Sequence, residues 1–491
     1  MRKFSLRNIY ERLNEMPMAA MVASLVVGIL FSDVVDVAVW LWVVLVFMAA
    51  AAAVCVKEWR EVVGLFAIFC FGAGVYDASR PSLPPYDEHC RVVLDFTSES
   101  VVGERYCSSS AEVLSGDGVE RGVRLRIYSP PAVRFEEGER VEAMLCIRRF
   151  DYARGDFGRL MYHRGYLGSA FLGREQIIGY QPRRTTSLHT LAIDRLRAMM
   201  PEGEARAVTL AMGVGERSEI GAATYAAYSR TGASHLLAVS GLHVGILFML
   251  INLLVWPLAL LRHGNAIGTA VVIGALWLYV FVCGGSPSAV RAAAMFSVMQ
   301  LCLSAVRGYV SGNVLCATAF VMLVVNPDLL FDLSFRMSFA AVAGIIFWGV
   351  PLMRSVHIPY RLPRALCNML AIGWVASLWV MPLVSHTFGV VSLVGVVLGP
   401  LVILSANLLL LATLLSLLLP RPLAGLMAQV AEWMAALQNE IIHRAADVGG
   451  AYVEYAASEQ TMWIAYGVYV AITIFLWGFR RDNTSVFHKN S

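Results

Sequence analysis

The chain has 491 residues, 58% of them hydrophobic and 15% charged, with a mean hydropathy of +0.64. Soluble domains run at about 45–50% apolar and about 25% charged, so this composition excludes an ordinary soluble globule and reads as a polytopic membrane protein. The net charge of +4 is too small to argue for nucleic acid by itself, and the nine scattered cysteines form no Cys-x-x-Cys or Cys/His cluster, so no metal and no cofactor is expected.

A membrane span needs about 20 mostly apolar residues. Residues 19–31, 37–56 and 62–76 are the first three candidates, and the first is followed so closely by the second that it reads as a retained anchor. Arg2, Lys3, Arg7 and Arg12 precede the first span, and Lys57 and Arg60 separate the second from the third. Basic loops stay cytoplasmic. Residues 1–76 are therefore expected to cross three times from a cytoplasmic N-terminus and to leave the chain outside.

The texture then changes. Residues 77–180 carry short alternating runs such as "RVVLDFTS", "GVRLRIYSP" and "ERVEAMLCIRRF", separated by the turn signals "GDG", "SPP" and "EEGER". About five strands in about 100 residues predict an extracytoplasmic small β-barrel, with an OB-like fold one option. Arg121, Arg124, Arg126 and Tyr128 are candidate DNA contacts on it, although a solvated strand face of alternating charge accounts for the same residues. Outside the cytoplasm a disulfide is permitted. Of the pairings open to Cys90, Cys107 and Cys146, Cys107–Cys146 is favoured because both lie mid-strand; three unpaired cysteines in a small β core is the alternative.

Residues 181–232 are amphipathic helical material of interfacial type, with Arg195 and Arg197 set between apolar positions. Candidate spans follow at 236–261, 266–283, 289–306, 311–325, 335–353, 369–387 and 390–419, the greater part of a bundle over 233–420. An amphipathic segment over 421–459 precedes a last span and a short cytoplasmic tail in 460–491. Counting crossings against basic flanks leaves 390–419 ambiguous: one crossing, or a hairpin broken at the Gly-Pro of "VVLGPLV" that leaves Arg421 outside. The Gly-Pro break favours the hairpin.

Three segments keep polar groups in apolar surroundings. In "SHLLAVSGLHVGILFML" (234–250), helical spacing puts Ser234, Ala238, Gly241 and Gly245 on one stripe of small residues, a close-packing seam. His243 falls opposite, with Ser240 about 60° round and His235 at the entrance. Lipid contact would cost a histidine dearly, so His243 is expected to face protein or a wet cavity. "CGGSPSAVRAAAM" (283–295) has a Gly-Gly break, Ser286 as N-cap, Pro287 at the first helical position and Arg291 one turn inside. "NPDLLFDLSFRMSFAAVAG" (326–344) places Asp328 and Asp332 at an edge and Arg336 one turn below. Arginines near a span end can snorkel; two arginines, an aspartate and a broken helix also fit a cavity for an anion, since broken helices at membrane depth need protein or water around them.

With "AVTLAMGVGERS" (207–218) and "FDYARGDFGRLMYHRGYLGSAFL" (150–172), these blocks make the chain resemble the ComEC family of DNA-internalisation (competence) membrane proteins over roughly residues 17–420. The resemblance implies an inner-membrane channel importing single-stranded DNA during natural transformation, an OB-like DNA-binding domain outside, and a bundle lining the conduit. His235, Ser240, His243, Arg291, Asp332 and Arg336 are then the path candidates. Partners implied are single-stranded DNA, membrane lipids, other competence proteins, a separate nuclease and a second copy of the chain. Arg336 departs from the family's usual Gln, and no His-x-His-x-Asp-His marks the metallo-β-lactamase-like domain that many members carry. An integral nuclease, and enzymatic activity generally, is therefore not expected. No G-x-x-x-x-G-K-[ST] occurs, so a cytoplasmic motor would be a separate protein. The competing readings are an envelope hydrolase built on Ser240 and His243, which has no orienting carboxylate nearby in sequence, and a small-solute transporter, which lacks matching halves.

Overall fold

Proline at the first helical turn starts the first helix: α1 (Pro17–Val34) is followed by α2 (Val39–Cys55) and α3 (Arg60–Ser79). The computed structural model describes residues 15–35, 37–55, 59–79, 89–102, 105–150, 158, 161–162, 165–182, 187–237, 239, 241–305, 311–355, 358–448 and 452–479. Backbones of α1 and α3 touch through glycine: a Cβ on Gly28 would lie 2.1 Å from the Phe69 carbonyl oxygen. At one end of this trio the buried Asp77 carboxylate accepts from Ser32 Oγ (2.5 Å) and Trp42 Nε1 (2.7 Å).

The β region holds eight strands rather than about five: β1 (His89–Phe96), β2 (Val101–Val102), β3 (Cys107–Gly116), β4 (Arg124–Ser129), β5 (Arg140–Cys146), β6 (Arg148–Arg149), β7 (Tyr166–Phe171) and β8 (Ile177–Gln181). Their order is β6-β7-β4-β3-β1-β5-β8, with β2 beside β3 and only β4–β7 parallel. Alternation in the sequence becomes sidedness: Leu125 and Ile127 are buried with Val92, Leu94, Val113 and Leu145, while Arg124, Arg126 and Tyr128 face outward. The expected closed barrel is corrected. Among the described residues no pairing joins β6 to β8, so the mixed sheet ends in two edges.

The expected Cys107–Cys146 disulfide is also corrected, because both cysteines are free thiols. β1 runs between their strands, and the two thiols sit toward opposite ends of it: Cys146 pairs with His89, whereas Cys107 lies beyond the Phe96 end. Crossing two strand spacings of about 4.8 Å already exceeds the Cα separation of about 7 Å that a disulfide can bridge.

α4 (Leu188–Arg197) is capped by Ser187, whose Oγ accepts from the Thr190 N–H. α5 (Glu204–Val214) stops at Gly215, which takes the left-handed conformation (φ +85°). After α6 (Ala222–Arg230) come α7 (Gly241–Val255), α8 (Gly264–Val282), α9 (Pro287–Ala305) and α10 (Ser311–Val325). α11 (Leu333–Gly344) runs through a π-turn at Ile345–Gly349 into α12 (Val350–Ser355). α13 (Arg361–Phe388), β9 (Val390–Ser392), α14 (Leu393–Leu418), α15 (Arg421–Ala446), β10 (Tyr452–Glu454) and α16 (Glu459–Phe479) complete the chain. Seven described helical segments, 17–34, 60–79, 264–282, 333–355, 370–388, 401–418 and 459–477, are long and apolar enough to cross a membrane.

The hairpin expected within 390–419 does not form: α14 is one helix of 26 residues that continues through Gly399-Pro400. Its start is fixed by Ser392 Oγ, which accepts from the Gly395 N–H at 3.0 Å. A helix gripped by neighbours re-satisfies the backbone groups that a proline frees, and α13 displays this directly. Pro382 deprives the Leu378 carbonyl of its i+4 donor; Tyr469 OH of α16 donates to that oxygen instead (3.1 Å), and Tyr466 OH donates to the next carbonyl, Trp379 O (2.9 Å).

Candidate functional site

The small-residue stripe is interrupted before it begins. Ser234–Leu236 is a separate 3-10 turn and α7 starts only at Gly241, so Ser234 does not continue the helical face of Gly241 and Gly245. Ala238 and Ser240, and the His235 side chain, lie outside the described residues. Gly241 and Gly245 face α9: a Cβ on Gly241 would meet the Ala292 Cβ at 3.8 Å, and one on Gly245 would crowd the Phe296 ring at 2.9 Å. His243 is buried, 1% exposed.

The second break adjoins the first. Gly284 and Gly285 both take positive φ (61° and 66°), turning the chain sharply from α8 into α9. The Ser288 hydroxyl donates to Val239 O at 2.6 Å and so pins the N-terminus of α9 beside that of α7. A Cβ on Gly215 would sit 3.3 Å from Cys283 O and 3.7 Å from Val239 Cγ2, which puts the end of α5 at the same place.

Arg291 is 2% exposed, with Nη1 donating to Asp332 Oδ1 at 3.3 Å and Nη2 to Ser334 Oγ; its Nε has no hydrogen-bond partner among the described residues. Asp332 is also the N-cap of α11, accepting from the Phe335 N–H at 2.8 Å. Arg336, half-buried, donates from Nε to Leu330 O at 2.7 Å. The N-termini of α9 and α11, at Pro287 and Leu333, thus meet at one buried guanidinium, and the start of α7 at Gly241 packs on α9 beside it. Helix N-termini present unpaired N–H groups and a partial positive charge, so the arrangement favours anions. Arg291 comes together with Asp332, 41 residues further on, which stands one turn before Arg336; Ser334 and Ser288, which complete the set, are serines in apolar helices and carried no special signal.

A second candidate surface lies on the sheet. Cross-strand register sets Tyr128 between Ser108 and Phe171, and Arg124 between Glu112 and Tyr166. Arg126 sits over the Tyr166 ring, 5.9 Å from its centroid, and donates from Nη2 to Ser108 Oγ at 2.8 Å. Phe171 and Tyr106 are exposed and meet edge-to-face at 5.8 Å. Arg121 and Arg124 line a cavity of about 270 Å³ with Glu120, Gly165 and Leu167. Tyr166 and Phe171 are five residues apart in "YLGSAF", a spacing that strict alternation puts on opposite faces; the register shift opposite Arg124 and Leu125 returns both to the outer face, and their adjacency to β4 depends on the parallel pairing.

Where sheet meets helices, Glu99, Glu136, Glu137, Asp194 and Glu216 line a cavity of about 130 Å³ beside Arg197. Burial, and then the charge of Glu216, pushes the Glu99 carboxyl above the ordinary carboxylate range. Tyr180, hydrogen-bonded to Glu139, is pushed up to about 12 by that bond and by burial. Among the described residues no group of His, Cys, Asp or Glu is arranged to hold a metal ion.

The sequence profile of the competence protein family matches residues 212–481, which contains α7 through α16 and every residue of the Arg291 cluster. The chain belongs to the competence protein (ComEC) family. ComE operon protein 3 of Bacillus subtilis (strain 168) is 30% identical over 214 residues, 43% of this competence protein and 26% of that one. An uncharacterized protein of Aquifex aeolicus (strain VF5) is 29% identical over 161 residues, covering 33% of the chain and 37% of the relative. The uncharacterized protein YcaI of Escherichia coli (strain K12) is 27% identical over 146 residues, covering 29% and 19%. Each similarity spans from about a fifth to about a third of the relative's length. No solved structure matches the competence protein.

Proposed function

We propose that this competence protein is a multi-pass inner-membrane channel that passes single-stranded DNA into the cytoplasm during natural transformation. The observation that carries the reading is the meeting of the α9 and α11 N-termini at the buried Arg291, with the start of α7 packed on α9 beside it, inside a family-matched bundle. A polyanion crossing a bilayer needs a path that replaces water with fixed positive partial charges. Arg291 is held by Asp332 and Ser334, so an arriving phosphate competes with a carboxylate for the guanidinium. His243, in the first turn of α7, and Arg336, one turn into α11, extend the same path.

The sheet supplies the receiving surface in this reading. It serves as an OB-like module on the outer side, where Tyr128, Tyr166 and Phe171 give bases flat partners, and Arg124, Arg126 and Arg121 meet phosphates. The N-terminus is cytoplasmic, the protein transports rather than cuts, and the motor and nuclease are separate competence proteins. The deciding experiment deletes the gene in a transformable host and follows labelled duplex DNA. Label held outside the inner membrane, with no cytoplasmic strand, is the expected result; undiminished cytoplasmic entry sinks the proposal.

A further inference from the structure

The α14–α15 hairpin contains the most apolar span candidate among the described residues, 401–418 with a mean hydropathy of 2.5. Its two ends and its turn can each be located against the rest of the fold. Its ends are tied to each other, because β9 pairs antiparallel with β10 and holds residues 390–392 beside 452–454. Whatever happens between them, the chain returns to the side from which it left.

That side is identifiable. α13 packs antiparallel on α11: a Cβ on Gly344 would strike Trp379 at 2.6 Å, so Phe388 and Leu333 mark the same end. Asp332, next to Leu333, binds Arg291 one turn from the start of α9, and Ser288 at that start is bonded to Val239. Val239 adjoins Gly215, whose neighbour Glu216 shares a cavity with Glu99 and Glu136 of the sheet region. The ends of the hairpin therefore lie on the sheet's side.

The turn lies there too. Arg195 Nη2 of α4 donates to Leu419 O at 2.8 Å, and Thr413 packs against Gly213 near the end of α5. α4 is itself fastened to the sheet region at both ends, by His189–Glu137 (3.1 Å) and Arg197–Glu99 (3.5 Å). A helix of 26 residues is about 39 Å long, more than a hydrocarbon core of about 30 Å. Both its ends nevertheless stand on one side.

We infer that α14 and α15 lie along the membrane plane on the side of the sheet and do not cross, despite a composition that qualifies α14 as a span. The inference rests on the chain being a multi-pass membrane protein and is independent of what passes through it. The hairpin is amphipathic in the inverted sense. Ala424, Ala428, Ala431 and Ala435 are buried against the neighbouring helices, and the buried Gln438 accepts from Ser405 Oγ at 2.9 Å. The outward stripes are apolar over most of their length, with Leu404 and Leu408 on α14 and Leu426, Trp433 and Leu437 on α15 exposed, and the α15 stripe ends in the exposed Arg444–Glu440 ion pair near β10, where headgroups would meet it. They continue the apolar exterior of the crossing helices, and the occupant they fit is the acyl layer of the leaflet on the sheet's side.

The test is side-specific labelling of the full-length protein in oriented membranes with a membrane-impermeant maleimide, labelled sites being read by peptide mapping. Glu120→Cys, in a turn of the sheet region, reports one side, and the native exposed Cys367, far from the Phe388 end of α13, reports the other. Arg421→Cys, at the turn, is expected to label together with Glu120→Cys. Labelling of Arg421→Cys only together with Cys367 overturns the inference, because the hairpin then crosses twice. An alkaline phosphatase domain inserted whole between Pro420 and Arg421 reads the same side without relying on thiol reactivity. Its activity should match that of an insertion at Glu120, and the opposite phenotype overturns the inference. For the outward face, Trp433→Cys should react with a lipid-soluble maleimide and not a water-soluble one; an oxidatively cross-linked dimer would instead assign that face to a second copy and overturn its assignment to lipid.

Discussion

The Arg291–Asp332 pair makes an asymmetric prediction. Arg291 is 2% exposed while the Asp332 carboxylate is 23% exposed and retains a second bond to the Phe335 N–H. Removing one partner of a buried ion pair costs about 3–5 kcal/mol, chiefly because the other charge is stranded. Asp332→Ala strands the more buried charge and deletes a helix cap worth about 1 kcal/mol, so it should cost about 4–6 kcal/mol out of a total stability of about 5–15. Arg291→Met leaves only a part-exposed carboxylate that keeps its bond to the Phe335 N–H. Its cost should be closer to that of a charged hydrogen bond, about 1.5–3 kcal/mol. Arg291→Met combined with Asp332→Asn removes both charges and keeps a capping side chain, and should recover most of the Asp332→Ala loss. The assay is reversible unfolding of purified protein in mixed micelles, run beside transformation frequency normalised to folded protein in the membrane. If Arg291 lies on the DNA path, Arg291→Met and the double variant fold yet transform at least tenfold less well. An Asp332→Ala protein as stable as Arg291→Met would refute the burial argument, and normalised transformation at the wild-type level in the double variant would refute the path.

At the sheet–helix joint, the Glu99 carboxyl is raised by burial and by Glu216, with Arg197 and Ser218 opposing and Glu136 adding to the rise. A raised folded value means the joint is most stable below the unfolded value of about 4.3 and loses that contribution as pH rises through the folded value. Glu99→Gln should therefore raise the unfolding temperature at pH 7 and flatten its dependence between about pH 4 and 7; an unchanged profile would remove Glu99 as the source. On the sheet, Tyr128→Ala and Tyr166→Ala should each weaken single-strand binding by the loss of about 1–3 kcal/mol of stacking. Arg124→Ala should lower the salt slope by about 0.7; fluorescence anisotropy across a salt series measures both effects. In the bundle, Tyr469→Phe should cost about 1–3 kcal/mol by stranding the Leu378 carbonyl, and almost nothing in a Pro382→Ala background, where the helix supplies its own donor. A double-mutant cycle by unfolding in micelles tests that coupling.

The amino-acid pattern by itself determined that this chain is a membrane protein, where a strand-rich insertion interrupts it, and which short polar blocks stand out from the apolar runs. Those are local properties: hydropathy over about 20 residues, alternation over six, glycine and proline at breaks. It also marked Arg291, Asp332 and Arg336 as charged groups in apolar segments, snorkelling at span ends or facing a cavity. What it could not decide were pairings between distant segments. The sheet stays open because of which strands neighbour one another, and Cys107 and Cys146 stay thiols because β1 runs between their strands. The small-residue stripe is cut short because Ser234–Leu236 forms a separate 3-10 turn ahead of α7. α14 continues through Gly399-Pro400 because a packed helix holds together where an isolated one would break. Hydropathy measures what a helix can tolerate around it; the β9–β10 pair and the Arg195–Leu419 bond determine where that helix lies.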